Sequence, residues 1–236
     1  LELQTATFNG HNLTDLTDNG DGTYTATYTV ANGDTDVANN GNVVTNLAFK
    51  DPSTSYFGAS TTSVVLSGES IDAHAPATPA VAPTNYGDNI GSIIGATSTA
   101  VRTDDTCPGI HIGTGLTDTV NLYVDDAKVA ATYNSSTGTL TPDVALAEGS
   151  RSITWSLTDM AGNESGRSPT YTLTVDTTAP TISSFTSTTA DGSYNAGKSI
   201  NITADMPEEV AKQASLPSRA ARRISKLLTV GLPERP

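Results

Sequence analysis

Residues 170–175 read Thr-Tyr-Thr-Leu-Thr-Val, a strict alternation of small polar and apolar side chains. Successive side chains of a strand point to opposite faces. Tyr171, Leu173 and Val175 therefore share a core-facing side, and Thr170, Thr172 and Thr174 share a wet one. A helix would scatter the same residues around its circumference. The pattern returns at 23–30, with Tyr24, Ala26, Tyr28 and Val30 predicted inward, and at 149–157, with Ile153, Trp155 and Leu157 inward. The 39 threonines and 20 glycines suit the wet faces and tight turns of sheets. With 36% hydrophobic and 16% charged residues, the expectation is all-β modules of about 100 residues, each with a thin sandwich core.

One plan is used twice. Residues 157–180 hold a loop with Asp159, Asn163 and Glu164, then a strand, then an exit from Asp176 to Pro180. Residues 49–76 repeat it in poorer form, with Asp51, Asp72 and Pro76 in the corresponding places. This divides the chain into a partial module with its hinge (1–76), a complete module (77–177), the start of a third (178–206) and a basic tail (207–236). The first module has turn signals at Asn9-Gly10 and at 18–22, and strands at 23–30, 43–49 and 61–66. It lacks its opening strands and reads as cut at the N-terminus. The hinge, 72–83, carries Pro76, Pro79 and Pro83, which favour a stiff extended backbone.

In the complete module the predicted strands are 90–94, 110–113, 120–124, 128–133, one around Leu140, 149–157 and 170–175. Seven short strands with turns every 8–12 residues are the spacing of an immunoglobulin-like sandwich, with Trp155 in its core. The third module offers a strand at 199–203. In the tail, Ser218 is placed to cap a short amphipathic helix carrying Ala221, Ile224, Leu227 and Leu228. That helix is read as foreign to the repeat, against the sharper alternative of a partner- or surface-binding helix.

Net charge is −13. Before Met206 there are 22 acidic and 6 basic residues, and from Met206 on there are 3 acidic and 6 basic. The body should repel nucleic acid and anionic membranes and attract cations. Cys107 is the single cysteine, so no internal disulfide braces the modules. No run approaches 18 apolar residues, so no membrane span is expected. With no initiator Met or signal peptide, the chain reads as an excerpt of something longer. His11, His74 and His111 lack zinc spacing, and no nucleophile motif or phosphate loop is present. Acid pairs such as Asp125-Asp126 sit in turns, and Asp18–Asp21 precedes a strand rather than a helix, so it reads as a hairpin turn. An enzyme is not expected.

Taken in order, DNIGSIIG, TDDTCPGIHIGTG, VNLYVDDAKVAATY and LAEGSRSITWSLTDMAGNESGRSPTYTLTVDTTAP resemble the bacterial Ig-like repeats of giant RTX-type and biofilm-associated surface adhesins. The resemblance covers 88–180 well, 1–76 moderately and 181–205 as a fragment; the tail matches nothing in it. Cys107 stands where the family usually has a small residue such as Thr, and the first module has DPSTSYFG where AGN would be expected. The resemblance implies tandem sandwiches at a cell surface, outside the cell. They would act as extenders that space a ligand-binding tip from the cell, monomeric, and stiffened by calcium at the module junctions. Neighbouring modules of the same chain are then the main partners, with a host or surface ligand for the whole adhesin.

Calcium takes 6–8 oxygen ligands. Asp159, Asn163 and Glu164 offer three within six residues, at the end where the chain enters, and Asp72 and Asp88 are expected to meet them there. Asp176, Asp104 and Asp105 are expected at the far end. The plain alternative is that these residues form turns. Two rival functions are a carbohydrate- or protein-binding module and an accessory domain of an extracellular polysaccharide-degrading enzyme.

Overall fold

Turns built on residues with positive φ cut the chain into short strands. The computed structural model describes residues 2–50, 53–54, 58, 60–91 and 94–206, and every regular element among them is a strand. The tail helix expected from Ser218 and the acid Asp51 lie outside the described residues. Two compact units are formed, Leu1–Thr177 and Thr178–Pro236.

The first unit begins with β1 (Glu2–Phe8), β2 (His11–Asn12), β3 (Thr14–Asp18), β4 (Tyr24–Thr27), β5 (Asn42–Lys50) and β6 (Thr61–Val65). Asn9 at φ 51° and Gly10 at φ 84° form the tight turn between β1 and β2, the left-handed pair that a two-residue hairpin needs. One sheet has the order β2-β1-β5-β6, and β3-β4 is a separate hairpin. Val37, Val43 and Ile71 form a small core with Phe8, Tyr28 and Leu66 against it. Ala26 and Val30, predicted inward, are exposed: the strand stops at Thr27, and a two-stranded hairpin cannot close over the facing sheet.

A full sandwich follows: β7 (Tyr86–Asp88), β8 (Gly95–Ser98), β9 (Arg102–Thr103), β10 (Gly109–His111), β11 (Thr119–Val124), β12 (Ala127–Val129), β13 (Ala131–Asn134), β14 (Thr139–Pro142), β15 (Gly149–Thr158) and β16 (Tyr171–Val175). Its sheets have the orders β13-β14-β10-β7-β8 and β12-β11-β15-β16-β9. Tyr86, Ile110 and Leu140 from the first meet Leu122, Ile153, Trp155, Leu173 and Val175 from the second. Alternation in β16 holds, with Leu173 and Val175 fully buried. Pairings are antiparallel except that β9 lies parallel to β16, Thr174 opposite Arg102 and Val175 opposite Thr103.

Three predicted strands are corrected. The first strand is not at 90–94; β7 and β8 flank that segment, and Ile90 and Ile94 are exposed. Asp88 Oδ1 accepts from Ile90 N at 3.1 Å and Gly91 adopts φ +73°, which turns the chain there. Residues 128–133 are not one strand. They change sheets at Ala130, β12 pairing with β11 and β13 with β14. In the second unit the strand is not 199–203 but β18 (Thr203–Asp205), paired antiparallel with β17 (Ser184–Thr186). Ile200 and Ile202 are about half exposed, because two strands alone offer no facing sheet to bury an alternating pattern.

Candidate functional site

The chain between the two sandwiches is fastened at both ends. Asp36 accepts at Oδ1 from Ala73 N at 2.8 Å and meets His74 Nδ1 at 2.9 Å, while Gly33 N donates to Ala73 O at 3.0 Å. On the other side Asn163 Nδ2 donates to Asp72 O at 2.9 Å. Gly166 lies so close to Thr78 that a Cβ there would sit 2.6 Å from Thr78 Oγ1, so any larger residue would have to push the Thr78 side chain aside. Pro79 and Pro83 are buried. Backbone hydrogen bonding to Ala73 and then the His74 pairing hold Asp36 below the usual carboxylate range. The Asp36 hydrogen bond and charge hold His74 above its ordinary value.

Asp159 organises the loop that makes this contact. Its Oδ1 accepts from Ala161 N and Asn163 N, both at 2.9 Å, and its Oδ2 from Asn163 Nδ2 at 3.0 Å. Burial raises its pKa, and the hydrogen bonds from Asn163, Ala161 and Gly162 together outweigh that and lower it. Glu164 points elsewhere. Its Oε1 accepts from Tyr123 OH at 2.5 Å, from Asn121 Nδ2 at 3.2 Å and from Ser156 Oγ. The Ser156 and Tyr123 hydrogen bonds hold its carboxyl below the usual range. Arg167 lies 3.8 Å over the Tyr123 ring and pairs with Asp126 at 2.9 Å. Glu164 thus ties the loop to the outer face of β11 and β15.

The opposite end of the sandwich is acidic and crowded. Thr103 Oγ1 donates to Asp88 Oδ2 at 2.7 Å and accepts from Asp105 N at 3.0 Å. Asp105 Oδ1 accepts from Cys107 N at 2.7 Å. Asp88 and Asp105 are each 2% exposed. Asp104 folds over Gly91, where a Cβ would meet its Oδ2 at 1.6 Å. Asp104 Oδ1 and Asp105 Oδ2 are buried without a hydrogen-bond partner among the described residues. Asp176 N donates to Thr103 O at 2.8 Å, and Asp176 Oδ2 lies 3.3 Å from Arg102 Nη1.

Of the sequence-predicted residues, the structure gathers Asp159, Asn163 and the carbonyl of Asp72 at one end. It puts Asp88 with Asp104, Asp105 and Asp176 at the other. Asp88 was expected beside Asp159; one three-residue strand, β7, carries it across the sandwich. Among the described residues, no three His, Cys, Asp or Glu side chains gather closely enough to hold a metal ion by themselves. Buried carboxylate oxygens without partners nonetheless suit a hard cation, whose remaining ligands can be hydroxyls, carbonyls and water. Residues 82–177 match the family model of the bacterial Ig-like domain. The match spans the complete sandwich, its acidic end and the connector's last residues. Bacterial Ig-like domains are commonly surface or extracellular modules and are generally structural rather than enzymatic. No curated protein matches the chain. No helix among the described residues is long and apolar enough to cross a membrane.

Sequence reasoning missed Thr103, Asp36 and Asp34. Thr103 was visible as the first residue of TDDT. Asp36 and His74 lie 38 residues apart, with no spacing signal. Asp34, 7% exposed, accepts from Tyr28 OH at 2.5 Å and lies 2.5 Å from His11 Nε2. His11 and His74 thus each face an aspartate, and His111 Nε2 lies 2.8 Å from Ala96 O.

Proposed function

We propose that this chain is a stiff extender segment of a secreted cell-surface adhesin, spacing a ligand-binding tip from the cell. The observation that carries it is the connector: Asn163 holds it from one sandwich and Asp36 from the other. A floppy linker would leave these groups to water; a docked one restricts the angle between sandwiches. Calcium joins this reading through the acidic end. Asp88, Asp104 and Asp105, with the Thr103 hydroxyl, would supply part of an oxygen shell there. A bound ion would satisfy the two buried carboxylate oxygens and lessen the repulsion among the acids. Extracellular calcium sites work at about 10⁻⁴–10⁻³ M.

The test is a distance distribution by pulsed electron paramagnetic resonance. Spin labels go on exposed Thr62 and Thr137, with Cys107 replaced by serine. A narrow distribution supports the extender. A broad one that Asn163→Ala leaves unchanged sinks it and moves weight to the binding-module reading.

A further inference from the structure

Asparagine followed by glycine occurs four times in the chain, at Asn9, Asn19, Asn32 and Asn40, all of them in the first sandwich. The pair carries its own chemistry. The glycine nitrogen, deprotonated by hydroxide, attacks the asparagine Cγ. A C–N bond forms, the Cγ–Nδ2 bond breaks and the amide nitrogen leaves as ammonia. Water then opens the cyclic imide at either carbonyl, leaving aspartate or its β-linked isomer. Glycine has no Cβ to obstruct the attack. The reaction needs a side-chain amide that can turn and a backbone nitrogen that is not donating elsewhere.

The structure sorts the four sites on those two counts. Asn9 Nδ2 donates to Tyr28 OH at 3.1 Å and to Thr35 O at 2.9 Å, which fixes the amide. Asn19 Nδ2 donates to Thr23 Oγ1 at 2.9 Å while Gly20 N donates to Asp18 Oδ1 at 2.9 Å, so both partners are held. Asn32 and Asn40 are exposed, and neither side-chain amide has a hydrogen-bond partner among the described residues. What restrains these two is the glycine nitrogen. Gly41 N donates to Ala38 O at 2.8 Å, inside its own turn. Gly33 N donates instead to Ala73 O at 3.0 Å, on the connector, and it is the N–H of the same Ala73 that Asp36 holds. Gly33 N is therefore released when this stretch of the connector lifts away.

We propose that Asn32 is a self-modification site gated by the connector: docking preserves Asn32, and each undocking exposes it to cyclisation by Gly33 N. The inference rests on the docked connector of the extender reading. The product changes the hinge in turn. The β-linked isomer lengthens the main chain by a methylene just before Gly33 and adds a carboxylate to a stretch that already holds Asp34 and Asp36. Gly33 N then no longer stands opposite Ala73 O, so the modified connector does not dock again. The junction passes one way, from stiff to loose, with age.

The test incubates the whole chain at neutral pH and physiological temperature for several weeks. Peptide mapping by mass spectrometry, with fragmentation that separates aspartate from its isomer, follows all four sites. Asp36→Ala removes the acceptor for Ala73 N and the partner of His74. It should speed conversion of Asn32 at least three-fold and leave Asn19 at the parent rate. His74→Ala should act in the same direction more weakly, and takes its place if Asp36→Ala does not fold. Converted protein carrying spin labels at Thr62 and Thr137 should give a broader distance distribution than fresh protein. No conversion at Asn32, equal acceleration at all four sites, or an unchanged distribution after conversion overturns the proposal. A broad distribution in fresh protein overturns the extender reading and this proposal with it. A narrow one, with Asn32 unresponsive to Asp36→Ala, overturns this proposal alone.

Discussion

Asn163 Nδ2 donates to the backbone oxygen of Asp72, 91 residues earlier, at 2.9 Å. The same nitrogen donates to Asp159 Oδ2 at 3.0 Å, so one amide locks its own loop and grips the connector. Asn163→Ala should cost about 1 kcal/mol, a fall of a few degrees in melting temperature. Asn163→Asp should do at least as much harm, because a carboxylate cannot donate to the Asp72 carbonyl and would face Asp159. Thermal melts of the two variants beside the parent check this.

Glu164 gathers Ser156, Tyr123 and Asn121, all three buried. Glu164→Ala leaves their donors without this acceptor, and the expected loss is roughly 2–3 kcal/mol. Tyr123→Phe removes one donor and should cost about 1 kcal/mol. Urea unfolding at neutral pH measures both. Because the folded Glu164 carboxyl titrates below its ordinary 4.5, its stabilisation is present above that value and is lost as pH falls through the lowered one.

The alternation of threonine with apolar residues was a true guide in β16, because burial of one sheet face writes itself directly into sequence, but at 23–30 it overran β4 and left Ala26 and Val30 exposed. Strands were misread where a turn outweighed composition. Ile90 and Ile94 look like strand residues, yet an Asp88 side-chain hydrogen bond and the φ of Gly91 turn the chain between them. The site was less legible. Neighbouring acids in sequence suggested one ligand loop, but Glu164 found its partners on strands up to 43 residues away, and Asp88 was carried to the other end by β7. Such long-range partners leave no local pattern.

His74 and Asp36 fasten the connector within a pH window. His74 is raised above 6.5 by Asp36, so its contribution is complete below 6.5 and is lost as pH rises through the raised value. Asp36 is lowered from 3.8, so its contribution is complete above 3.8 and is lost as pH falls through the lowered value. Asp72 also faces His74 and favours its cation. Melting temperature should therefore fall between pH 5.5 and pH 9, and His74→Asn should flatten that part of the fall. An equal fall in the variant would assign the pH response to other groups.

Calcium at the acidic end should raise melting temperature, and magnesium should not match it. At one hundred times Kd a single ion adds about 2.7 kcal/mol, which is roughly 10 °C for a domain of this size. Asp105→Asn and Asp88→Asn should each remove most of the rise, whereas Glu164→Gln should keep it. Scans in EDTA, magnesium and calcium decide the matter, and a flat response would take the ion out of the proposal.

The parallel pairing of β9 with β16 bears on how the domain carries load. The chain enters beside Asn163 and leaves at Asp176, at opposite ends of β15. Tension on the two ends therefore pulls β16 lengthwise along β15 and β9. Its hydrogen bonds are strained all together, in shear, rather than opened one after another. Unfolding then requires several of them to break in a single event, which keeps forced unfolding slow.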